Sequence, residues 1–186
     1  MGLPEIVAKE VGKDPALPKR ISEALSRPLG DAVLYELWVS RAVAAALAAA
    51  SAIAKWPLAS TLIGVGEELL RKETSGLETV AVATGLNPSS DRPSTNHYRL
   101  VKHLMLSVMS SGPAPVLAVA YGRMRVREAV GGICVRCGFW ASDDFVALAA
   151  RVSHALEAAE FLDLDEVIEA VKDYLLIEKT FYSSII

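Results

Sequence analysis

The sequence predicts an α+β fold that is predominantly helical, with N- and C-terminal helices around a small central α/β insert carrying a β-hairpin. Three observations predict it. Apolar residues recur at helical spacing toward both ends of the chain. The β-branched runs LETVAVAT and VLAVAY fall in the middle. Gly131-Gly132 sits between two alternating runs, RMRVREAV and ICVRCGFW, which is a two-residue hairpin signal.

At 186 residues the chain fits one domain spanning 1–186. That length buries a core without metals or a disulfide framework. The expected division is helical over 1–76 and 141–177, with the insert at 77–140 and an apolar tail at 178–186.

Taken in order, Pro15 and Pro18 punctuate the entry to the helix KRISEALS. Gly30-Asp31 gives a break and an N-cap for DAVLYELWVSRAVAAALAAASAIA, which is apolar nearly all round and therefore central. Only the 13 residues between Arg41 and Lys55 are free of charge, too few for a membrane span of about 20. Pro57 restarts the chain at a first helical position, and Glu67–Arg71 and Glu68–Lys72 have the i,i+4 spacing of solvent-side ion pairs. Gly64 and Gly66 weaken this helix, and Gly76 ends it.

LETVAVAT then reads as a strand and GLNPSSDRPS as a loop. Ser94 or Thr95 caps NHYRLVKHLMLSVMSS, whose Leu100, Val101, Leu104, Met105 and Val108 are helically spaced. Gly112, Pro113 and Pro115 stop that helix, and VLAVAY reads as a short buried strand. Beyond the hairpin, Ser142 with Asp143 and Asp144 opens a helix through Leu156. Asp163 and Glu166 have capping-box spacing and open another, through Leu176.

Charge is unevenly spread in a chain of net charge -3. Residues 92–136 hold seven Lys/Arg against one Asp/Glu, and residues 137–186 hold three against ten. Such asymmetry points to polyanion binding by one region of an acidic protein. Pairing Val130 with Ile133 across the hairpin gathers Arg123, Arg125, Arg127, Arg136 and Trp140 on one face. Arg127 opposite Arg136 demands a counter-ion, which a phosphate backbone supplies while Trp140 stacks on a base. Arg99 and Lys102, with His103, share a face of the preceding helix and add to the basic surface. Two other readings stay open. The acidic C-terminal helices cover and neutralise the arginines internally, or RMRVREAV is helical.

CVRC has the spacing of half a zinc site, but a structural site needs four ligands and the chain has two cysteines. In a strand, Cys134 and Cys137 point to opposite faces and neither share a metal nor close a disulfide. No metal and no cofactor is expected. The chain has no Gln and only Asn87 and Asn96, a depletion typical of hyperthermophiles. Its first 30 residues lack the apolar block of a signal peptide. The expectation is a cytoplasmic protein with no membrane partner.

Arg92 and His97, in RPSTNH, have a spacing that resembles the active-site motif of the HEPN ribonucleases, where an Arg and a His act on the scissile phosphate. The stretch KRISEALSRPLGDAVLYELWVSRAV resembles the early helical region of the small subunit of archaeal type I-A CRISPR surveillance (Cascade) complexes. That resemblance implies a non-catalytic subunit packed along a crRNA-guided, antiviral complex. The leading expectation is thus a non-enzymatic, RNA- or single-stranded-DNA-binding subunit of an archaeal assembly. Its partners are nucleic acid and protein, or a second copy docked through Phe181, Tyr182, Ile185 and Ile186. The alternatives are a metal-independent RNA-cleaving enzyme using Arg92 and His97, and a scaffold that binds no nucleic acid.

Overall fold

A computed structural model of the chain describes residues 2–27, 30–89, 91, 95–161 and 163–185. Among these residues the structure is helical and holds no strand. The helices are α1 (Leu3–Val11), α2 (Leu17–Ser26), α3 (Gly30–Ser51), α4 (Leu58–Leu69), α5 (Ser75–Ala83), α6 (Thr95–Ser111), α7 (Pro113–Gly131), α8 (Asp143–Ala158) and α9 (Leu164–Ile185). A π-helical segment, Leu70–Thr74, joins α4 to α5, and a 3-10 turn, Val135–Ala141, follows α7.

The central α/β insert is therefore corrected to helix. LETVAVA forms α5, with Leu77 and Ala81 turned inward one helical turn apart. VLAVAY and RMRVREAV are one helix, α7, started by Pro113 after Gly112, whose φ of 81° suits only glycine. Gly131-Gly132 closes α7 and makes no hairpin. The physical reason is burial. α7 packs against α1, α2, α3, α6, α8 and α9. A helix buried on nearly every side shows no polar face, so its 3.6-residue period vanishes from the sequence.

Elements with a wet side follow the sequence reading. In α6, Leu100, Leu104 and Val108 are buried while Arg99 and Lys102 are exposed. Ser142 caps α8, its Oγ accepting from the Phe145 N–H at 3.3 Å. Asp163 Oδ1 accepts from the Asp165 N–H at 2.8 Å as α9 begins. The i,i+4 pairs expected on α4 are replaced by longer-range ones: Arg151–Glu68 at 2.6 Å and Lys72–Asp144 at 3.4 Å. Glu67 and Glu68 lie on α4 but Arg71 and Lys72 lie in the π-helical segment, which changes their angular register.

α3 is long and apolar enough to cross a membrane by length and composition, yet 72% of its apolar window is buried by neighbouring helices. It packs against α2, α4, α5, α6 and α7, and with α7 forms the centre of the bundle. The apolar tail is also corrected. α9 runs on to Ile185, so Phe181 and Tyr182 are core residues, and the Phe181 ring stacks on Tyr35 at 3.8 Å. Ile185 is half-buried, and Ile186 lies outside the described residues.

Candidate functional site

Helical geometry sorts the arginines differently from strand geometry. Arg123 and Arg127 are four residues apart and share the inward side of α7, where they are 1% and 0% exposed. Arg125 points out and pairs with Glu128. Trp140, on the 3-10 turn, is also fully buried. These three residues cannot form an open face. Arg136 is exposed, but on the turn rather than opposite Arg127.

The buried guanidinium groups meet three buried carboxylates. Arg127 donates to Glu36 through Nε at 3.0 Å and Nη2 at 2.5 Å, and to Glu178 Oε2 through Nη2 at 2.6 Å. Arg123 donates through Nη2 to Glu36 Oε2 at 2.9 Å, and through Nη1 to both oxygens of Glu73 at 2.7 Å. The Trp140 Nε1–H and the Ser40 hydroxyl each donate to Glu73 at 2.7 Å. The Tyr182 hydroxyl donates to Glu36. The cluster thus ties α3, the π-helical segment, α7, the 3-10 turn and α9 at one point.

Two guanidinium groups face three carboxyls, and the electrostatics resolve the mismatch. Burial alone would raise Glu36, but the charges of Arg127 and Arg123 overcome it and hold Glu36 below its ordinary value of 4.5. Glu178 is pushed up by burial; Arg127 offsets this only in part, and Glu36 adds repulsion. Burial also keeps the hydroxyls of Tyr35, Tyr174 and Tyr182 protonated.

Three buried polar atoms of this cluster have no hydrogen-bond partner: Glu178 Oε1, Tyr35 Oη and Arg123 Nε. Buried polar atoms are ordinarily satisfied, so three together call for a reason. Glu73 also sits in the π-helical segment, a local irregularity frequent at functional sites. Aromatic walls complete the surroundings. The Tyr35 ring meets Phe181 at 3.8 Å and Tyr182 edge-on at 5.9 Å, and the Arg127 guanidinium lies 5.8 Å from the Trp140 ring. The arrangement can move a proton at Glu178 and donate hydrogen bonds from Arg123 and Tyr35. Among the described residues, no group of three or more His, Cys, Asp or Glu is placed to hold a metal ion.

The remaining sequence candidates lie elsewhere. Arg92 is outside the described residues; His97 falls in the first turn of α6, its side chain likewise undescribed. Arg99 and Lys102 are exposed on α6, while His103 turns toward α9, Nε2 lying 3.0 Å from the Ala170 carbonyl. Cys134 and Cys137 form a disulfide, against the strand-based expectation, because the 3-10 turn brings both onto one side.

A groove of about 900 Å³ lies at the far end of the bundle, lined by Trp56, Pro57, Arg151, His154 and Phe161 among others. An exposed Lys55–Glu160 pair at 2.7 Å lies on its rim. Along α3, the helix rise separates Glu36 from that end by about 22 Å. The perturbed groups and this groove therefore do not coincide. The buried cluster, where unpaired polar atoms and a raised carboxyl occur together, is the candidate site.

Sequence reasoning missed Glu36, Glu73, Glu178, Tyr35 and Tyr174. Glu36 carried a signal, a lone acid inside the apolar run AVLYELWV. Glu178 carried another, since Val171, Tyr174, Glu178, Phe181 and Tyr182 share one helical face.

No protein-family model and no curated protein matches the sequence. Among solved structures, the fold is similar to that of a TenA homologue protein from P. horikoshii OT3. The TM-score is 0.77 and the identity 14%, over 100% of this chain and 98% of that one. The chain has a TenA-like fold. This overturns the resemblance to the type I-A CRISPR small subunit, which rested on about 25 residues, and with it the RNA-binding and antiviral expectations. Nothing in the TenA-like arrangement favours RNA cleavage by Arg92 and His97 either.

Proposed function

We propose that this protein is an enzyme of the TenA-like fold that performs proton-transfer chemistry at the buried cluster, with Glu178 as the general acid or base. The observation that carries the proposal is the trio of unpaired atoms, Glu178 Oε1, Tyr35 Oη and Arg123 Nε. They are one carboxyl, one hydroxyl and one guanidinium N–H with nothing to bond, and they share the cluster with aromatic rings. A carboxyl beside such donors pairs two-point with an N–H donor adjacent to a ring nitrogen, and the rings suit a flat molecule. The substrate class is therefore a small planar nitrogen heterocycle. A cytoplasmic location belongs to the same proposal.

Burial of Glu178 works in the direction a general acid needs, raising its carboxyl above the ordinary value. Arg127 positions it through Nη2 at 2.6 Å, and Tyr35 is buried in the same core. One rival reading has an observation in its favour: the full burial of every charged member fits a purely structural ion network.

Ligand binding and turnover separate the two. Thiamine and its separate aminopyrimidine and thiazole halves are suitable first compounds, being planar nitrogen heterocycles. Purified protein is screened for thermal stabilisation, then for turnover, with Glu178→Gln as the control. The enzyme reading expects a binder and a turnover that falls by about 100-fold or more in Glu178→Gln while the melting transition survives. A broad heterocycle screen without a binder leaves the structural network as the answer.

A further inference from the structure

The 3-10 turn Val135–Ala141 covers the buried cluster on one side. Trp140 reaches in from it to donate to Glu73 at 2.7 Å and to lie beside Arg127. Phe139 packs over the start of α5, where a Cβ built on Gly76 would fall 2.9 Å from its ring. The two rings are 4.9 Å apart and act as one plug. The chain returns to α7 so closely that a Cβ on Gly131 would lie 2.6 Å from the Ala141 nitrogen. Inside this tight return the Cys134–Cys137 disulfide joins residues three apart, immediately ahead of the plug. Val135, Arg136 and Gly138 of the same turn are exposed, so the cross-link lies just beneath the surface.

We propose that Cys134–Cys137 is a thiol–disulfide exchange site whose oxidation state sets access to the buried cluster, a regulation that rests on the enzymatic reading of that cluster. The reductant is a dithiol. One donor thiolate attacks a sulfur of the pair and breaks the S–S bond, leaving a mixed disulfide and one protein thiolate. The second donor thiolate then displaces the other cysteine. The donor becomes a disulfide, and the protein gains two electrons and two protons as two thiols. Closed, the cross-link fixes the turn with Trp140 on Glu73. Opened, the turn loses the constraint between the residue that precedes it, Cys134, and its third residue, Cys137, and Phe139 and Trp140 withdraw from the bundle. This route reaches Glu73 and Arg123 first, the side on which Arg123 Nε stands unpaired.

The experiment uses the full chain, oxidised and after dithiothreitol, with a thiol titration confirming two free thiols and far-UV circular dichroism confirming intact helices. Backbone hydrogen exchange is followed by mass spectrometry. Exchange over 135–141 and 70–76 is expected to quicken by about tenfold or more on reduction, with α9 unchanged. A Cys134→Ser/Cys137→Ser variant is expected to match the reduced protein; if it does not fold, reduced wild type still answers. Equal exchange in the two redox states overturns the proposal. The outcomes for the enzymatic reading are separate. Faster exchange without turnover of any heterocycle in either state upholds the redox turn and removes the enzyme. Turnover that is equal in both states, with unchanged exchange, upholds the enzyme and removes the redox control.

Discussion

Replacing a glutamate by glutamine is nearly isosteric, and at two glutamates of the same cluster it is expected to have opposite consequences. Glu36 accepts from Arg127, Arg123 and Tyr182, and it is ionised because both guanidinium groups hold it below 4.5. Glu36→Gln removes a charge facing two buried cations and points amide N–H groups at N–H donors. Breaking a buried pair on one side costs about 3–5 kcal/mol, a large part of the roughly 5–15 kcal/mol that a domain has to lose. Burial pushes Glu178 up from its ordinary value, so Glu178→Gln is expected to disturb the charge balance less than Glu36→Gln does, and it keeps an acceptor for Arg127. The expected loss there is about 1 kcal/mol or less near pH 6.

The pH dependence carries the sharper sign. A raised folded-state pKa means that the contribution of Glu178 is fully present below its ordinary 4.5 and is lost as pH rises through the folded value. Glu36, whose folded pKa is lowered, contributes above 4.5 and loses its contribution as pH falls. Glutamine at 178 abolishes the first dependence. The difference between wild type and Glu178→Gln should therefore shrink, then reverse in favour of the variant, as pH is raised from 5 toward 8. Urea unfolding of the three proteins across that range measures it. Equal losses in the two variants at neutral pH, or a Glu178→Gln deficit that grows with pH, would refute the charge assignment.

Three further expectations follow from the same contacts. Gly131→Ala puts a methyl 2.6 Å from the backbone nitrogen of Ala141 and should cost about 1–3 kcal/mol in denaturant unfolding, against no comparable loss for Gly138→Ala, where the added Cβ meets open space. The Cys134–Cys137 cross-link closes so short a loop that losing it should cost only about 2 kcal/mol, read by unfolding with and without dithiothreitol. Lys55→Ala removes an ion pair whose side chains are both 80% exposed, and should change stability by no more than about 1 kcal/mol.

How far the sequence discloses this molecule depends on which side of each helix meets water. α6, α8 and α9 have a wet face, so leucine and valine spacing and the caps at Ser142 and Asp163 locate them. α5 and α7 do not disclose themselves. In α5 the β-branched residues imitate a strand although Thr79 and Val82 face water; in α7 burial on nearly every side hides the helical period, and Arg123, Met124, Arg125, Val126, Arg127 imitates alternation by chance. On a helix, that same run puts Arg123 and Arg127 inward and Arg125 outward. The internal neutralisation left open by the sequence is the outcome for Arg123 and Arg127, but its agents are Glu36 and Glu73 as well as Glu178, and the first two precede Arg123 by 87 and 50 residues. No local spacing rule reaches that far.

The misreading of α7 and the existence of the cluster have one cause. A helix can be buried on nearly every side only if each polar group it turns inward finds a partner there, and α7 turns two of its three guanidinium groups inward. Each of the surrounding elements supplies part of the answer: Glu36 from α3, Glu73 from the π-helical segment, Glu178 from α9. Two carboxylates would balance two arginines. The third cannot be explained by charge, since burial drives it toward the neutral acid and leaves one of its oxygens unbonded. A hydrophobic residue at 178 would fill the space without that cost. The excess acid, rather than the ion pairs, is therefore the feature that stability does not account for, and it is the one on which catalysis by this fold would depend.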